Sequence, residues 1–170
     1  QISNDFKQGI RSFNIIGSYG TGKSSFLWAF EQTVKGHKSY FGLNILPKAS
    51  IDFIKIVGEY QSLKTTFCDL FELNDQDTLP HIFSEIYNRY HRLGSQNPLL
   101  IIEIDEFGKH LEYASQNSPE IELYFIQQLA EFVNNPDNNI VLLTTTHQNF
   151  DAYAVHLQPL QRQEWTKVKG

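Results

Sequence analysis

The sequence that decides the fold is Gly17-Ser18-Tyr19-Gly20-Thr21-Gly22-Lys23-Ser24, which is followed directly by Ser25. It matches the pattern G-x-x-x-x-G-K-[ST] at every fixed position. Glycine allows backbone conformations that bulkier residues resist, so successive N–H groups of such a loop can point inward at phosphate oxygens. We therefore expect residues 17–25 to cradle the phosphates of a nucleotide.

Two side chains of this loop carry the chemistry that the pattern requires. Lys23 brings a mobile positive charge to the β- and γ-phosphates of a nucleoside triphosphate, and Ser24 places a hydroxyl on the Mg²⁺ ion. The alternative is a chance glycine-rich turn. The flanking sequence argues against it, because Ser12–Ile16 is an apolar, strand-like run and the residues up to about Lys35 follow a helical pattern. A preceding strand and a following helix are the context in which this motif, Walker A, binds phosphate.

Three further stretches are short and apolar on both faces, like the strand before the loop: Ile51–Val57, Leu99–Ile104 and Asn139–Thr145. Strands of this kind are typical of a parallel sheet that is covered by helices on both sides. The segments between them carry helical patterns, so strands and helices alternate along the chain. We expect an α/β protein, a three-layer α-β-α P-loop NTPase with a mostly parallel central sheet.

Two later helices are predicted from apolar spacing and from end signals. The first covers Leu79–Leu93, whose apolar residues recur at spacings of three and four. The second follows Ser118, a candidate cap, with Pro119 in the first helical position, and stops before Asn134. Two segments show no such pattern and are expected to be irregular: Lys38–Pro47 and Glu59–Asp77.

Two carboxylates follow the apolar stretch Leu99–Ile104. Since parallel strands bind ligands at their carboxyl ends, Asp105 and Glu106 should emerge beside the phosphates. Asp105 fits the Walker B role of holding Mg²⁺, and Glu106 is then placed to deprotonate the attacking water. The alternative, a pair of solvated turn residues, is disfavoured by the phosphate loop. Glu103 interrupts the apolar run; we expect it to lie at the sheet edge or to meet a cation, and we assign it no role.

The last predicted strand ends in polar residues, Thr144-Thr145-Thr146-His147-Gln148. At this point residues 12–150 resemble the additional-strand division of P-loop ATPases, which includes AAA+ and STAND-type proteins. The resemblance implies that the strands lie in the order second, third, fourth, first, with a fifth strand beyond Gly170 or absent. It also implies a polar γ-phosphate sensor at this strand end. Thr145 and Thr146 are the candidates, with His147 or Gln148 as alternatives, although threonines also simply suit a strand.

A second resemblance concerns the segments around the site and near the C-terminus. Residues 106–113, 150–154 and 161–165 are similar to those of large bacterial ATP-binding proteins of poorly defined role. Arg162 is a candidate arginine finger, acting in cis or across a subunit interface, although an Arg in a polar helix is more often solvated.

Other phosphate-loop classes fit less well. Asp105 to Gly108 also satisfies the D-x-x-G pattern of GTPases, but no N-K-x-D element for guanine occurs. His147 invites comparison with ABC transporters, but the nearest echo of their signature, at residues 93–96, lies too close to Asp105. A metabolite kinase would require an Arg-rich lid, and Lys and Arg together number only 14.

Composition narrows the remaining possibilities. The chain has 170 residues, 41% of them hydrophobic, which indicates a single globular domain over residues 1–170. The net charge of −5 gives no indication of nucleic-acid binding. Neither a secretory leader nor a run of roughly 18 apolar residues is present, so no membrane span is expected. Cys68 is the only cysteine, which fits a cytoplasmic location.

The chain begins at Gln1 and contains no Met, so we expect a fragment of a longer protein. Attached domains or partner proteins, which the sequence does not identify, would then complete it, and assembly into an oligomer is compatible with this view. The leading hypothesis is an ATPase that binds Mg·ATP and drives a conformational change in attached parts. The alternative is a nucleotide-gated switch or scaffold with little turnover; Glu106 favours the enzyme, because binding alone needs no general base.

Overall fold

The computed structural model describes residues 2–42, 50–91, 98–155, 157–159, 161–163 and Trp165. In this part of the chain the strands are β1 (Ser12–Ile16), β2 (Ile51–Val57), β3 (Leu99–Asp105) and β4 (Ile140–Thr146). They form one sheet in the order β1-β4-β3-β2, with every neighbouring pair parallel. This confirms the predicted parallel sheet and the strand order that the resemblance implied. The place predicted for a fifth strand, beyond Gly170, lies outside the described residues.

Helices lie on both faces of the sheet, as the α/β prediction requires. In the described residues they are α1 (Ile2–Lys7), α2 (Lys23–Val34), α3 (Leu63–Leu70), α4 (Leu79–His91), α5 (Gly108–Gln116), α6 (Pro119–Asn134) and α7 (Phe150–Tyr153). None of them is long and apolar enough to cross a membrane.

The central strand β3 shows how the two layers of the core are built. Its side chains alternate, so that Leu99 and Ile101 pack with α2 while Leu100, Ile102 and Ile104 pack with the helices of the opposite layer. All of these residues are at most 1% exposed. Burial on both faces explains why the strand is an almost continuous apolar run.

The prediction that Glu59–Asp77 is irregular is wrong. Helix α3 lies within it, beginning after Ser62, whose hydroxyl accepts a hydrogen bond from the main-chain N–H of Thr65 at 3.4 Å. Phe67 and Cys68 of this helix are fully buried. The helix is only 8 residues long, so it shows too few apolar repeats to be recognised, and packing against the core stabilises it instead.

The other predicted segments agree with the structure in part. The described part of α4 ends at His91, and residues 92–97 lie outside the described residues, as do residues 43–49. Lys38–Gly42 is irregular, as expected. Helix α6 begins at Pro119 as predicted, but Ser118 makes no side-chain cap. Its φ of 48° lies in the left-handed region, whereas a capping serine has extended backbone, so the hydroxyl does not reach the first turn.

The close approach of two strand ends yields a test of the fold. Gly58 follows β2 and donates a hydrogen bond from its N–H to the Asp105 carbonyl oxygen at 2.7 Å. A Cβ at Gly58 would overlap the Glu106 carbonyl group, lying 2.8 Å from its carbon and 3.1 Å from the Asp105 oxygen. Because main chain cannot move aside as a flexible side chain can, Gly58→Ala should lower the free energy of unfolding by about 1–3 kcal/mol in urea denaturation.

The matched control is Gly42→Ala. Among the described residues, no atom would lie within 4 Å of a Cβ at Gly42, so this variant should unfold like the wild type or slightly later. Equal stability of the two variants would contradict the close packing at Gly58.

Candidate functional site

The loop between β1 and α2 has the backbone that its glycines make possible. Gly20 has a φ of +76° and Gly22 a φ of +84°, in the left-handed region that other residues rarely adopt. The loop is tied to the sheet where it begins, because the Gly17 N–H donates to the Thr146 carbonyl oxygen at 3.1 Å. It ends at Gly22, directly before the first residue of α2. The positive end of this helix therefore faces the loop.

The Lys23 side chain folds back over the loop. Its ammonium group donates hydrogen bonds to the main-chain oxygens of Gly17 at 2.6 Å and Ser18 at 3.0 Å. The Thr21 hydroxyl donates to the same Ser18 oxygen at 2.8 Å. These contacts hold the ammonium group against the main chain at the start of the loop, directly after β1.

Asp105 accepts hydrogen bonds from three groups. One carboxylate oxygen accepts from the Ser24 hydroxyl at 2.6 Å. The other accepts from the Thr145 hydroxyl at 2.6 Å and from the main-chain N–H of Glu106 at 3.0 Å. Burial raises the pKa of Asp105, but these hydrogen bonds and the charge of Lys23 outweigh it and hold the pKa below its usual value. The carboxylate therefore stays ionised at neutral pH.

The pairing of Ser24 with Asp105 fits a divalent cation. A hydroxyl and an ionised carboxylate are the oxygen donors that Mg²⁺ prefers. The two groups come from α2 and from the end of β3, and they lie within hydrogen-bond distance of each other. Both predicted metal ligands are thus in one place, beside the phosphate loop.

Glu106 has an unusual backbone and a fixed side chain. Its φ of 57° is left-handed, which is uncommon for a residue other than glycine and is a form of strain often found at functional sites. Its carboxylate forms an ion pair with the ammonium group of Lys109, three residues along the chain in α5. Both side chains are partly exposed, at 32% for Glu106 and 42% for Lys109. The carboxylate therefore lies at the surface of the site rather than in the core.

A cavity of about 330 Å³ joins these elements. It is lined by Tyr19, Gly20, Gly22, Lys23, Ser24, Ser25, Asp105, Glu106 and His147. The cavity is thus lined by most of the predicted loop, by Asp105 and Glu106, and by His147, one of the alternative sensor residues. Gly17, Ser18 and Thr21 of the predicted loop do not line it.

The two threonines predicted as sensors are fully buried and do not line this cavity. Thr145 contacts the cavity only indirectly, because its hydroxyl donates a hydrogen bond to Asp105, which does line it. The Thr146 hydroxyl lies within hydrogen-bond distance of the Asn14 amide on β1, with its nitrogen at 3.0 Å. Of the alternatives, Gln148 is exposed and away from the cavity, whereas His147 lines it and stacks on the Tyr19 ring at a centroid distance of 3.7 Å.

Arg162 does not line the cavity either. Its guanidinium donates hydrogen bonds to the main-chain oxygens of Leu157 at 3.1 Å and Val155 at 3.2 Å. These contacts are local to the end of the chain, so a role in this site would need a change of position or a neighbouring subunit. The arginine-finger hypothesis stays a prediction.

Of the two settings expected for Glu103, the sheet edge is wrong, whereas a cation, Lys55, does lie beside it. Glu103 lies on β3, between β2 and β4, and is 2% exposed. Burial raises the pKa of Glu103 to about 7, although the charge of Lys55, its neighbour on β2, lowers it. The Lys55 ammonium bonds to Glu31 at 2.7 Å, so the cation that Glu103 meets is already paired.

The sequence does not point to two of these contacts. The Tyr19–His147 stack joins two loops that only the fold brings together. The pair of Glu106 and Lys109 has a helical spacing, but that spacing is a signal only if α5 is recognised as a helix.

The comparisons with known proteins bear on the fold. No protein-family model matches the sequence, and no curated protein matches it. The structure is similar to that of the Aeropyrum pernix ORC1 protein in complex with DNA, with 12% identity, coverage of 91% of this chain and 37% of that chain, and a TM-score of 0.52. It is also similar to the structure of the Aeropyrum pernix ORC2 protein in ADPNP–ADP complexes. Here the identity is 13%, the match covers 96% of this chain and 42% of that chain, and the TM-score is 0.56.

Both solved structures have the three-layer P-loop fold of AAA+ ATPases. At these identities the similarity establishes the fold, and it confirms the resemblance to the additional-strand P-loop ATPases at that level. The chain spans about two fifths of the length of the solved chains that it matches.

The hydrogen bond from Thr145 to Asp105 gives a test that depends on pH. Thr145→Val keeps the shape of the side chain but removes a donor to a charged group, which should lower the free energy of unfolding by about 1.5–3 kcal/mol at neutral pH. The pKa of Asp105 is lower in the folded protein than in the unfolded chain. Its contribution to the free energy of unfolding is therefore complete above the ordinary Asp pKa and is lost as the pH falls through the pKa of the folded protein. The difference from wild type should therefore shrink in acid.

Urea denaturation in EDTA, from neutral to acidic pH, measures this difference. Thr145→Ser keeps the hydroxyl and should retain the wild-type pH dependence even if the missing methyl group lowers stability. A loss in Thr145→Val that is the same at every pH would show that packing, not the carboxylate, is affected.

Proposed function

We propose that this domain binds Mg·ATP and hydrolyses it, and that hydrolysis changes the conformation of attached parts. One observation carries the proposal: the phosphate loop, the pair of Ser24 and Asp105, and the Glu106 carboxylate line one cavity. Each of the three supplies a different requirement of phosphoryl transfer, namely phosphate binding, metal binding and activation of water.

The triphosphate is bound chiefly by the loop and by Lys23. The main-chain N–H groups of residues 20–25 and the positive end of α2 favour an anion at this position. The Lys23 ammonium, which bonds to the main-chain oxygens of Gly17 and Ser18, lines the same cavity and can contact the β- and γ-phosphates from there.

Ser24 and Asp105 would hold Mg²⁺. The chemistry that the ion would supply there is positive charge against the phosphates. The hydrogen bonds that Thr145 and the Glu106 main chain give to Asp105 keep its carboxylate ionised and oriented toward Ser24. Thr145 is on this proposal a positioning residue, which acts through Asp105.

Glu106 accepts the proton of the attacking water. As the water oxygen bonds to the γ-phosphorus, the bond from that phosphorus to the β–γ bridging oxygen breaks, and ADP and inorganic phosphate result. The ion pair with Lys109 holds the carboxylate at the edge of the cavity beforehand. His147 is the residue of the β4 end that is placed to contact the γ-phosphate.

A second function, a nucleotide-gated switch with little turnover, is favoured by one observation. The Glu106 carboxylate is already paired with Lys109, and while this ion pair is closed the carboxylate oxygen that contacts Lys109 is occupied. The switch and the enzyme share every binding contact and differ only in whether this ion pair opens.

The proposals about ligands and partners draw on the two solved structures and on the charge of this chain. The ORC2 structure contains ADPNP and ADP, which supports an adenine nucleotide here. The ORC1 structure contains DNA, but the net charge of −5 of this chain gives no support for nucleic acid as its own partner. We propose attached domains or protein partners, assembly into an oligomer, and a cytoplasmic location.

Removal of the Lys23 charge tests nucleotide binding. Lys23→Ala should weaken Mg·ATP binding in a calorimetric titration, because it removes the mobile cation at the β- and γ-phosphates. Lys23→Arg should not restore it, since a planar guanidinium does not fit a site that takes a point charge. Lys64→Ala is the control, because Lys64 lies on α3, does not line the cavity, and donates to the main-chain oxygen of Asp75. Unchanged affinity in Lys23→Ala would exclude the proposed phosphate site.

Removal of the Glu106 charge tests hydrolysis. A positioned general base acts in the transition state, so Glu106→Gln should lower phosphate release by about 10²–10⁴-fold while ATP stays bound. Phosphate release and equilibrium ATP binding are measured on the full-length protein. Glu112→Gln, at an exposed position of α5 outside the cavity, is the control.

The outcomes separate the two functions. Wild-type protein that binds ATP and releases no phosphate in any oligomeric state would favour the switch. A Glu106→Gln variant that hydrolyses ATP at the wild-type rate would assign the base to another residue, and His147 would be the first to examine.

A further inference from the structure

An open groove continues from the phosphate cavity along α2. It has a volume of about 550 Å³ and is lined by Ser24, Ser25, Trp28, Ala29 and Tyr40. Two of these residues, Ser24 and Ser25, also line the phosphate cavity, so the two spaces adjoin. A ligand whose phosphates occupy the loop therefore has a direct path into the groove.

Two exposed aromatic rings form the far end of this groove. Trp28 is 52% exposed and Tyr40 is 39% exposed, and their ring centroids lie 5.5 Å apart at an angle of 58°. The core-facing side of α2 is formed by other residues, chiefly Leu27 and Phe30, and Trp28 is not part of this core cluster. The other tryptophan, Trp165, is 2% exposed, which is the usual state of such a side chain.

The position of Tyr40 is fixed by its surroundings. Its main-chain N–H donates to the Thr33 hydroxyl of α2 at 3.0 Å. The Lys38 ammonium lies 4.9 Å from the centre of its ring. The two rings are thus presented as a defined pair beside the helix.

The distance along the helix suits a nucleotide. With a rise of about 1.5 Å per residue, Trp28 lies about 6 Å along the axis from Ser24 and about 4.5 Å from Ser25. A phosphate at the helix N-terminus thus places the sugar and base of the same nucleotide over the next turn. Both exposed rings are on that turn or in contact with it.

We propose that the base of the nucleotide binds in this groove, stacked on Trp28 with Tyr40 beside it. The proposal rests on the proposed function, since it assigns the base of the same bound nucleotide. Stacking of a base on an aromatic side chain is typically strong enough to change affinity about 5- to 100-fold.

The chemistry of the groove also sets its selectivity. In the described part of the chain, its lining contains no carboxylate or amide side chain that could read the edge of a base. Stacking depends on ring area and tolerates different bases, so the site should prefer purines to pyrimidines and separate adenine from guanine poorly.

The test compares nucleotides with inorganic tripolyphosphate, which has the phosphates and no base. Calorimetric titrations with Mg²⁺ are made on the full-length protein for ATP, GTP, CTP and tripolyphosphate. We expect Trp28→Ala to weaken ATP and GTP binding about 5- to 100-fold and to leave tripolyphosphate affinity unchanged. Trp28→Phe should restore most of the loss, and Tyr124→Ala, which removes another half-exposed aromatic ring on α6, should have no effect.

Tryptophan fluorescence gives an independent readout. ATP should change the wild-type emission through the exposed Trp28, and this change should be lost in Trp28→Phe, since the other tryptophan of these 170 residues, Trp165, is buried. Tripolyphosphate should produce little change in either protein.

Three results would overturn the proposal. Unchanged ATP affinity in Trp28→Ala would place the base elsewhere and leave the groove to a protein partner. Equal losses for ATP and tripolyphosphate would show that Trp28 only supports the helix. Wild-type protein that binds neither ATP nor tripolyphosphate would contradict both the proposed function and this inference. If the wild type binds tripolyphosphate but Trp28→Ala leaves ATP affinity unchanged, only this inference is contradicted.

Discussion

The Asp105 carboxylate is the interaction on which the arrangement of the site depends. It accepts hydrogen bonds from Ser24 on α2, from Thr145 on β4 and from the main chain of Glu106. These partners come from three distant parts of the sequence, and each bond is 3.0 Å or shorter. A charged acceptor strengthens such bonds, and loss of one partner leaves a partly buried charge under-satisfied. The same carboxylate therefore connects α2, β3 and β4 at the edge of the sheet.

The strand order makes this convergence possible. Strand β4 lies between β1 and β3. The carboxyl end of β4 therefore lies between the phosphate loop, which follows β1, and the acidic residues Asp105 and Glu106 at the end of β3. Main-chain hydrogen bonds lock the strand ends together, from Gly17 to Thr146 on one side and from Gly58 to Asp105 on the other. Parallel strands end at one edge of the sheet, so side chains from separate segments meet there without long loops.

Two features of the site are unfavourable for folding by themselves. Glu106 has left-handed backbone, and Glu103 places a carboxyl group in the interior of the sheet. Burial raises the Glu103 pKa to about 7, so the protein tolerates this residue in part by favouring its neutral form. The buried apolar residues of β3 and β4 offset these costs. Local departures of this kind concentrate at functional sites, where geometry matters more than stability.

The sequence alone was sufficient for the sheet, the phosphate loop and the acidic pair. Apolar runs specify buried parallel strands, and Gly20 and Gly22 adopt a backbone geometry that few other residues permit. It was not sufficient for α3, which is too short to show a period, or for the position of Glu103, which depends on the neighbours of its strand. Nor could it separate Thr145 from Thr146, since alternation along β4 turns one hydroxyl toward Asp105 and the other toward Asn14. The pairing of Glu106 with Lys109, of Tyr19 with His147 and of Trp28 with Tyr40 was decided by the tertiary structure. Contacts between side chains on different elements depend on distances that only the packed fold defines.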